Sequence, residues 1–321
     1  MGPSILQSAA WQKFQHDLGE TTFFEQNQDF QYLAIKKSTP VGPYLYLPCG
    51  PYIATKNASK TAFKALQALA EREGAIFIRI EPKTPEIASE WLKTAKKTKD
   101  LNPKETWILD ITPKIDLLYQ NMKQNTRNLC KNYSKKGLVV EKYTAKNPEK
   151  LKILVNFQQK VAKYHKINTF SEKYLETEFQ QPFSTLYVAY YDPALDPSPE
   201  KIQNSKFPIA ASLFFDDTTT RYYMQSASDY NFRKLPATYA IINEAIEDAQ
   251  SKNLKNLDFW GIAPENAGKD HPWAGFTDFK KSFGGTAVTY AGTYDYILNK
   301  PKYRLYQHLR KLNRLKRRIL H

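Results

Sequence analysis

Apolar residues recur along this chain with two periods, near 3.6 and near 2, and the switches between them mark out its elements. Trp11, Phe14 and Leu18 fall three and four apart with Gly19 after them, which predicts a short opening helix. Residues 31–35 and 44–47 read as strands, and Pro48-Cys49-Gly50-Pro51 is a rigid turn. A helix over 60–73 puts Phe63, Leu66, Leu69 and Ala70 on one face, stops at Gly74 and feeds the almost wholly apolar strand 75–80, so a helix is expected to pack on a sheet. Another helix forms around Trp91. A polar, Lys-rich stretch ends near Lys104, where we place the first domain boundary, and 107–111 opens a new strand.

Beyond that boundary the pattern predicts a helix over 117–136 ending at Gly137, a strand at 138–141, and a long helix over 148–165 carrying Leu151, Leu154, Val155 and Val161. Strands follow at 185–191, 209–215 and 221–226, with a Pro-rich exposed insertion over 192–206. Pro236 opens a helix running to Lys252, 256–260 is a short buried strand, and a helix over 272–283 is stopped by Gly284-Gly285. The last strand spans 286–296. From Pro301, Leu305, Leu309, Leu312, Leu315 and Ile319 form one stripe of a helix whose other faces are basic. Helices and strands do not alternate strictly, which favours an α/β (α+β) chain with mixed sheets over a doubly wound parallel one.

Length and composition sharpen this picture. At 321 residues the chain suits two domains, and 41% hydrophobic with 14% aromatic content supplies a sizeable core. Lys and Arg number 47 against 32 acids, a formal charge of +15, so polyanions such as nucleic acid, pyrophosphate or anionic lipid are the expected partners. Part of the excess is concentrated after residue 299, where cations from Lys300 to Arg318 meet no acid. Cys49 and Cys130 stand far apart, so neither a disulfide framework nor a Cys-based metal site is expected, and the compartment is expected to be reducing. No signal-like N-terminus and no long apolar run occurs, so the expected location is the cytoplasm, with peripheral contact at the inner face of the membrane as an option.

The chain lacks the P-loop, the dinucleotide-binding glycines, the zinc-protease helix and the nucleophile elbow, and its five His do not cluster; no metal or cofactor is expected. Lys123, Arg127, Lys131 and Lys135 recur every fourth residue and align on one face of the 117–136 helix, either as a solvated surface or as a track for phosphates. The C-terminal helix, with Arg310, Arg314 and Arg317, has three readings: a solvated tail, a membrane-surface helix, or a tRNA contact. In Phe279-Lys280-Lys281-Ser282-Phe283-Gly284-Gly285 a lysine sits beside two rings at i, i+4 and a glycine turn. It is either an ordinary amphipathic helix end or a fixed cation that stabilises a developing oxyanion.

An ordered series of motifs resembles the Fem-type aminoacyltransferases that build peptidoglycan bridges. It runs from Gln7–Phe14 through Tyr46-Leu47-Pro48-Cys49-Gly50-Pro51, Ile78-Arg79-Ile80-Glu81-Pro82, Asn125-Thr126-Arg127-Asn128-Leu129 and Tyr222-Tyr223-Met224-Gln225-Ser226 to Phe279-Lys280. The resemblance implies two domains similar to the acetyltransferase (GNAT) fold with a cleft between them, in a compact form without a helical arm. The first domain would comprise 1–103 plus 292–321 and the second 104–291. The implied activity is transfer of an amino acid from aminoacyl-tRNA to the peptide stem of a lipid-linked or nucleotide-linked muropeptide precursor, by a protein expected to be a monomer. Lys280 matches the lysine that stabilises the ester carbonyl oxygen and Phe279 its neighbour. Glu81 stands where the family often has Asp, and Tyr174 and Tyr223 match tyrosines that line the precursor site. The family's phosphate-gripping basic pair falls at Gln15 and Phe170, so Lys13 or Lys166 would have to re-supply that contact. Two rivals stay open: an acetyl-CoA-dependent N-acetyltransferase of the same fold, for which no glycine-rich pyrophosphate loop is present, and a non-catalytic RNA- or membrane-binding protein.

Overall fold

The structure is a computed structural model that describes residues 2–55, 57–83, 89–195 and 205–319; the side chains of 89–90 and 313–319 lie outside the description. The chain forms two compact units, one of residues 1–104 with 289–321 and one of residues 105–288.

The first unit begins with α1 (Ala9–Asp17), capped by Ser8 Oγ, which accepts from Trp11 N at 3.1 Å, and burying Trp11 and Phe14. Gly19 ends it at φ +84°. The strands β1 (Thr21–Gln26), β2 (Phe30–Lys37), β3 (Tyr44–Leu47) and β4 (Tyr52–Ile53) follow. Next come α2 (Ala58–Arg72), the wholly buried β5 (Phe77–Ile80), α3 (Ser89–Thr94) and the two-residue β6 (Lys96–Lys97). Gln7 staples the opening segment to the sheet: its carboxamide donates to Pro48 O at 2.8 Å and accepts from Leu33 N at 2.9 Å. A Cβ at Gly50 would overlap that carboxamide, which is why the turn at 48–51 carries glycine.

The second unit opens with β7 (Glu105–Asp110), α4 (Ile115–Asn121) and α5 (Gln124–Asn132). The single helix expected over 117–136 is therefore two. Met122 and Lys123 adopt extended ψ values of 150° and 141°, and Lys123 N donates to Ser282 O at 2.9 Å instead of continuing a helical ladder. The chain continues through β8 (Leu138–Tyr143), α6 (Leu151–His165), α7 (Glu172–Phe179), β9 (Ser184–Tyr191), β10 (Phe207–Asp216) and β11 (Thr220–Ser228). Then come α8 (Ala237–Ser251), β12 (Asn256–Gly261), α9 (Ala274–Lys281) and β13 (Thr286–Thr289). The sheet order is β13-β7-β12-β11-β10-β9-β8, with β11 and β12 parallel. Residues 196–204 of the expected insertion lie outside the described residues.

The last expected strand, 286–296, is also two, and they belong to different sheets. After β13 the backbone turns at Gly292 (φ +87°), and β14 (Tyr294–Ile297) enters the first unit's sheet, whose order is β1-β2-β3-β5-β14-β6 with β4 beside β2. The buried pair Arg79–Asp295, joined at 2.7 and 2.8 Å, locks β14 on β5. Finally α10 (Lys300–Ile319) docks through Tyr303 and Tyr306 on Phe77 and Tyr44. Of its leucine stripe, Leu305 and Leu312 are each 53% exposed and Leu309 is half-buried, while Leu315 and Ile319 have side chains outside the description. Among the described residues no helix is long and apolar enough to cross a membrane.

Candidate functional site

Helix α9 is held at both ends, and this fixes where Lys280 points. At its start Thr277 Oγ1 accepts from Ala263 N at 2.8 Å, tying the helix to the exit of β12. At its end Trp107 Nε1 donates to Gly284 O at 2.6 Å, and Gly285 (φ +94°) lies so close to the Ile108 carbonyl that a Cβ would overlap it. Between these anchors Lys280 Nζ donates to Gly261 O at 2.5 Å. Burial in this largely apolar surround brings the ammonium down to about 8, while the charge of Asp258 opposes the shift. The neighbouring Lys281 points elsewhere, with its ammonium over the Trp107 ring at 5.5 Å.

A continuous wall of rings runs from Phe279 to Tyr223. Phe279 meets Phe283 at 5.2 Å and Tyr239 at 5.1 Å, Phe283 meets Phe259 at 5.3 Å, and Phe259 meets Tyr223 at 6.3 Å. Burial raises the Tyr223 phenol, which is hydrogen-bonded to Ser226 and Ser212. Three residues expected at the site, Lys280, Phe279 and Tyr223, thus share one packed region of the second unit.

The other expected site residues make other contacts. Tyr174 stacks on Phe170 at 4.5 Å and is hydrogen-bonded to Glu178, whose carboxyl burial pushes up to about 8 and whose Oε2 has no hydrogen-bond partner. Lys166 caps α6 in the left-handed region and is exposed. Lys13 is exposed and pairs with Asp17 at 2.6 Å. Glu81, in the first unit, is buried and its carboxylate is saturated. Oε1 accepts from Leu101 N, Asn102 N and Thr293 Oγ1 at 3.2, 3.1 and 2.8 Å; Oε2 accepts from Tyr46 Oη, Cys49 N and Asn102 Nδ2 at 2.8, 3.3 and 2.6 Å. A carboxylate offers about four lone-pair directions, so Glu81 has no acceptor capacity left for a substrate.

The basic stripe is corrected by the helix break. Lys123 is the N-cap of α5 and Lys135 lies in a following 3-10 turn, so only Arg127 and Lys131 share the α-helix. Lys131 rests over the Tyr119 ring at 4.5 Å. In α10, Arg310 lies over Tyr306 at 5.5 Å; the side chains of Arg314 and Arg317 lie outside the described residues. A cavity of about 520 Å³ beside α6, lined by Ile153, Phe157, Lys160 and Asp229 among others, contains none of the expected site residues. The pattern reading missed Asp258, Thr277 and Glu178. The available signal for Asp258 was a lone acid inside the otherwise apolar stretch Leu257–Trp260.

Residues 197–311, which include α9 and the ring wall, match the model of the FemAB family. Over this segment, about a third of the chain, it is similar to the FemAB family. Curated proteins that the chain resembles include the aminoacyltransferase FemA of Staphylococcus epidermidis, 26% identical over 129 residues, and that of Staphylococcus aureus, 28% identical over 127. Each match covers 37% of this chain and only 31% and 30% of the relative, so the chain spans about a third of their length. Among solved structures, FemX superposes with a TM-score of 0.82 at 18% identity over 95% of this chain and 94% of FemX. A tandem GNAT protein from the clavulanic acid pathway superposes with a TM-score of 0.51 at 7% identity, over 92% of this chain and 90% of its own. These likenesses show the fold, a mixed α/β architecture with two mixed sheets like that of FemX.

Proposed function

We propose that this chain transfers an amino acid from aminoacyl-tRNA to a side-chain amine in the peptide stem of a peptidoglycan precursor. The observation that carries the reading is the half-buried Lys280, its ammonium pinned to Gly261 O between two anchored ends of α9. One of its three N–H groups is spent on that carbonyl, and the others are available to an ester carbonyl oxygen as it becomes an oxyanion. The acceptor amine attacks the ester carbon, a C–N bond forms, the C–O bond to the tRNA 3′ oxygen breaks, and the amine proton ends on that oxygen. The ester is already activated, so orientation and charge stabilisation suffice without a covalent enzyme intermediate. The relatives' naming as aminoacyltransferases supports the same reaction.

In this reading Phe279 and Tyr223 shape the acyl and acceptor surfaces, Tyr174 lines the acceptor side, and Glu81 orients its own loop and strand end without binding substrate. Lys13 or Lys166, both exposed, is the proposed phosphate contact, and Arg127, Lys131 and Arg310 are proposed tRNA contacts. The exposed Leu305 and Leu312 on a basic helix favour peripheral association with an anionic membrane surface, on the cytoplasmic side where a lipid-linked precursor is met.

The test is to incubate the protein with labelled aminoacyl-tRNA and either precursor form, and to read the precursor's mass. Gain of one aminoacyl residue is expected. Acetylation from acetyl-CoA instead would support the acetyltransferase reading. Equal binding of charged and uncharged tRNA with no transfer would support a non-catalytic RNA binder.

A further inference from the structure

The lysine at the centre of the site is held by a feature on another element. Strand β12 pairs with β7 in register as far as Asp258, opposite Ile108, and resumes only at Gly261, opposite Thr106, so the strand bulges between them. Within the bulge Trp260 has φ +63°, an unusual value for a large residue. Two hydrogen bonds at Asp258 Oδ1 hold it there: Trp260 N donates at 2.8 Å and Thr106 Oγ1 donates from the neighbouring strand. The bulge turns the Gly261 carbonyl to Lys280 Nζ, and two residues later Ala263 N reaches Thr277, one turn before Lys280 on α9. Asp258 is 2% exposed, so its charge is poorly screened.

We propose that Asp258 is the positioning residue for the Lys280 ammonium: it fixes the bulge that presents the Gly261 carbonyl, and its carboxylate is the buried charge that balances the cation. The inference rests on Lys280 being the oxyanion donor. The groups around Lys280 leave Asp258 as the balancing charge. Asp278 and Lys281 on its own helix are exposed, Tyr239 of α8 contacts Phe279 through its ring, and Trp107 of β7 takes Lys281. The opposition between burial and the Asp258 charge in setting the Lys280 titration agrees with this geometry.

Two variants separate the two parts of the role. Asp258→Asn keeps an acceptor for Trp260 N and removes the charge; Asp258→Ala removes both. A nearby opposite charge shifts a titration by about one unit or more. In Asp258→Asn the pH at which Lys280 becomes half-reactive toward an amine-acylating reagent, read by peptide mass spectrometry, is therefore expected to fall by about one unit. The alkaline limb of kcat should move with it, a loss of about fivefold at pH 8 with KM nearly unchanged. Asp258→Ala should lower kcat further at every pH. An unmoved Lys280 reactivity profile in folded Asp258→Asn would overturn the proposal and leave Asp258 as a fold determinant only. If wild type transfers no amino acid, the reactivity profile still decides the coupling, so failure of the function and failure of this inference are told apart. Should Asp258→Asn not fold, adding Lys280→Met is expected to restore folding, because the unbalanced buried cation is then gone. Failure of the double variant to recover would equally reject the coupling.

Discussion

Replacing Lys280 by methionine separates catalysis from folding, and the structure gives the size of both effects. Methionine keeps an unbranched stem of similar length and removes the charge. The ammonium titrates near 8, below the ordinary lysine value of 10.5, so the folded protein holds a cation that would be more stable in water. A shift of that size corresponds to about 3 kcal/mol of penalty at pH 7, and its removal is offset by about 1–3 kcal/mol for leaving the Gly261 carbonyl unpaired. The melting temperature should therefore stay close to wild type. The sign with pH follows from the lowered value: between pH 8 and 10.5 the native state binds fewer protons than the unfolded chain, so wild-type stability rises across that window, and Lys280→Met loses the rise. Loss of one fixed oxyanion donor costs about 100- to 1000-fold in kcat. Wild-type Lys280 is about nine-tenths protonated at pH 7 and about one-tenth at pH 9, so the ratio of wild-type to variant rates should shrink a little under tenfold between them. Taking the ratio cancels titration of the acceptor amine, which affects both proteins alike. Single-turnover transfer from labelled aminoacyl-tRNA measures it. A wild-type rate in Lys280→Met, or a ratio constant from pH 7 to 9, refutes the oxyanion role; a ratio that grows with pH assigns Lys280 as a base instead.

Other elements of the molecule give separate tests. Glu81→Gln should lower stability by about 2–4 kcal/mol, read as a lower urea midpoint, because an amide NH₂ then faces donors that the carboxylate accepts. Neutralising Arg127 and Lys131 should reduce the salt slope of tRNA binding by about 0.7–0.9 per lost phosphate contact, while an unchanged slope would return them to ordinary surface. Leu305→Ser with Leu312→Ser should weaken sedimentation with anionic vesicles at unchanged melting temperature, since both side chains are exposed. By contrast, truncation after Lys300 should destabilise the first unit by removing Tyr303, whose hydroxyl donates to Asp295 at 2.8 Å.

How much was legible in the sequence depended on how local each cause is. The 3.6-residue spacing of Leu66, Leu69 and Ala70, closed by Gly74, is a local signal, and α2 forms at Ala58–Arg72 as that pattern requires. Runs of apolar residues likewise gave β5, β9 and β10, because fully buried strands admit little else. The motif Phe279-Lys280 drew notice for the same reason: an i, i+4 ring pair and a glycine stop can be read within one turn of helix. The sequence missed β1, whose mostly exposed or half-buried Thr21–Gln26 is a strand because β2 offers it an edge, and α7, which its pattern did not announce. Long-range partners decided the rest. Lys123 leaves the helix because its N–H meets the carbonyl of Ser282, which caps α9, and residues 286–296 divide between two sheets because Asp295 finds Arg79. Leu305 and Leu312 carry the expected apolar period, yet it is Tyr303 and Tyr306 that find rings to pack on. The site follows the same rule. Sequence named the lysine, but that its ammonium is pinned against Gly261, and that Asp258 holds the bulge which puts it there, are properties of strands and helix brought together from positions about twenty residues and more apart.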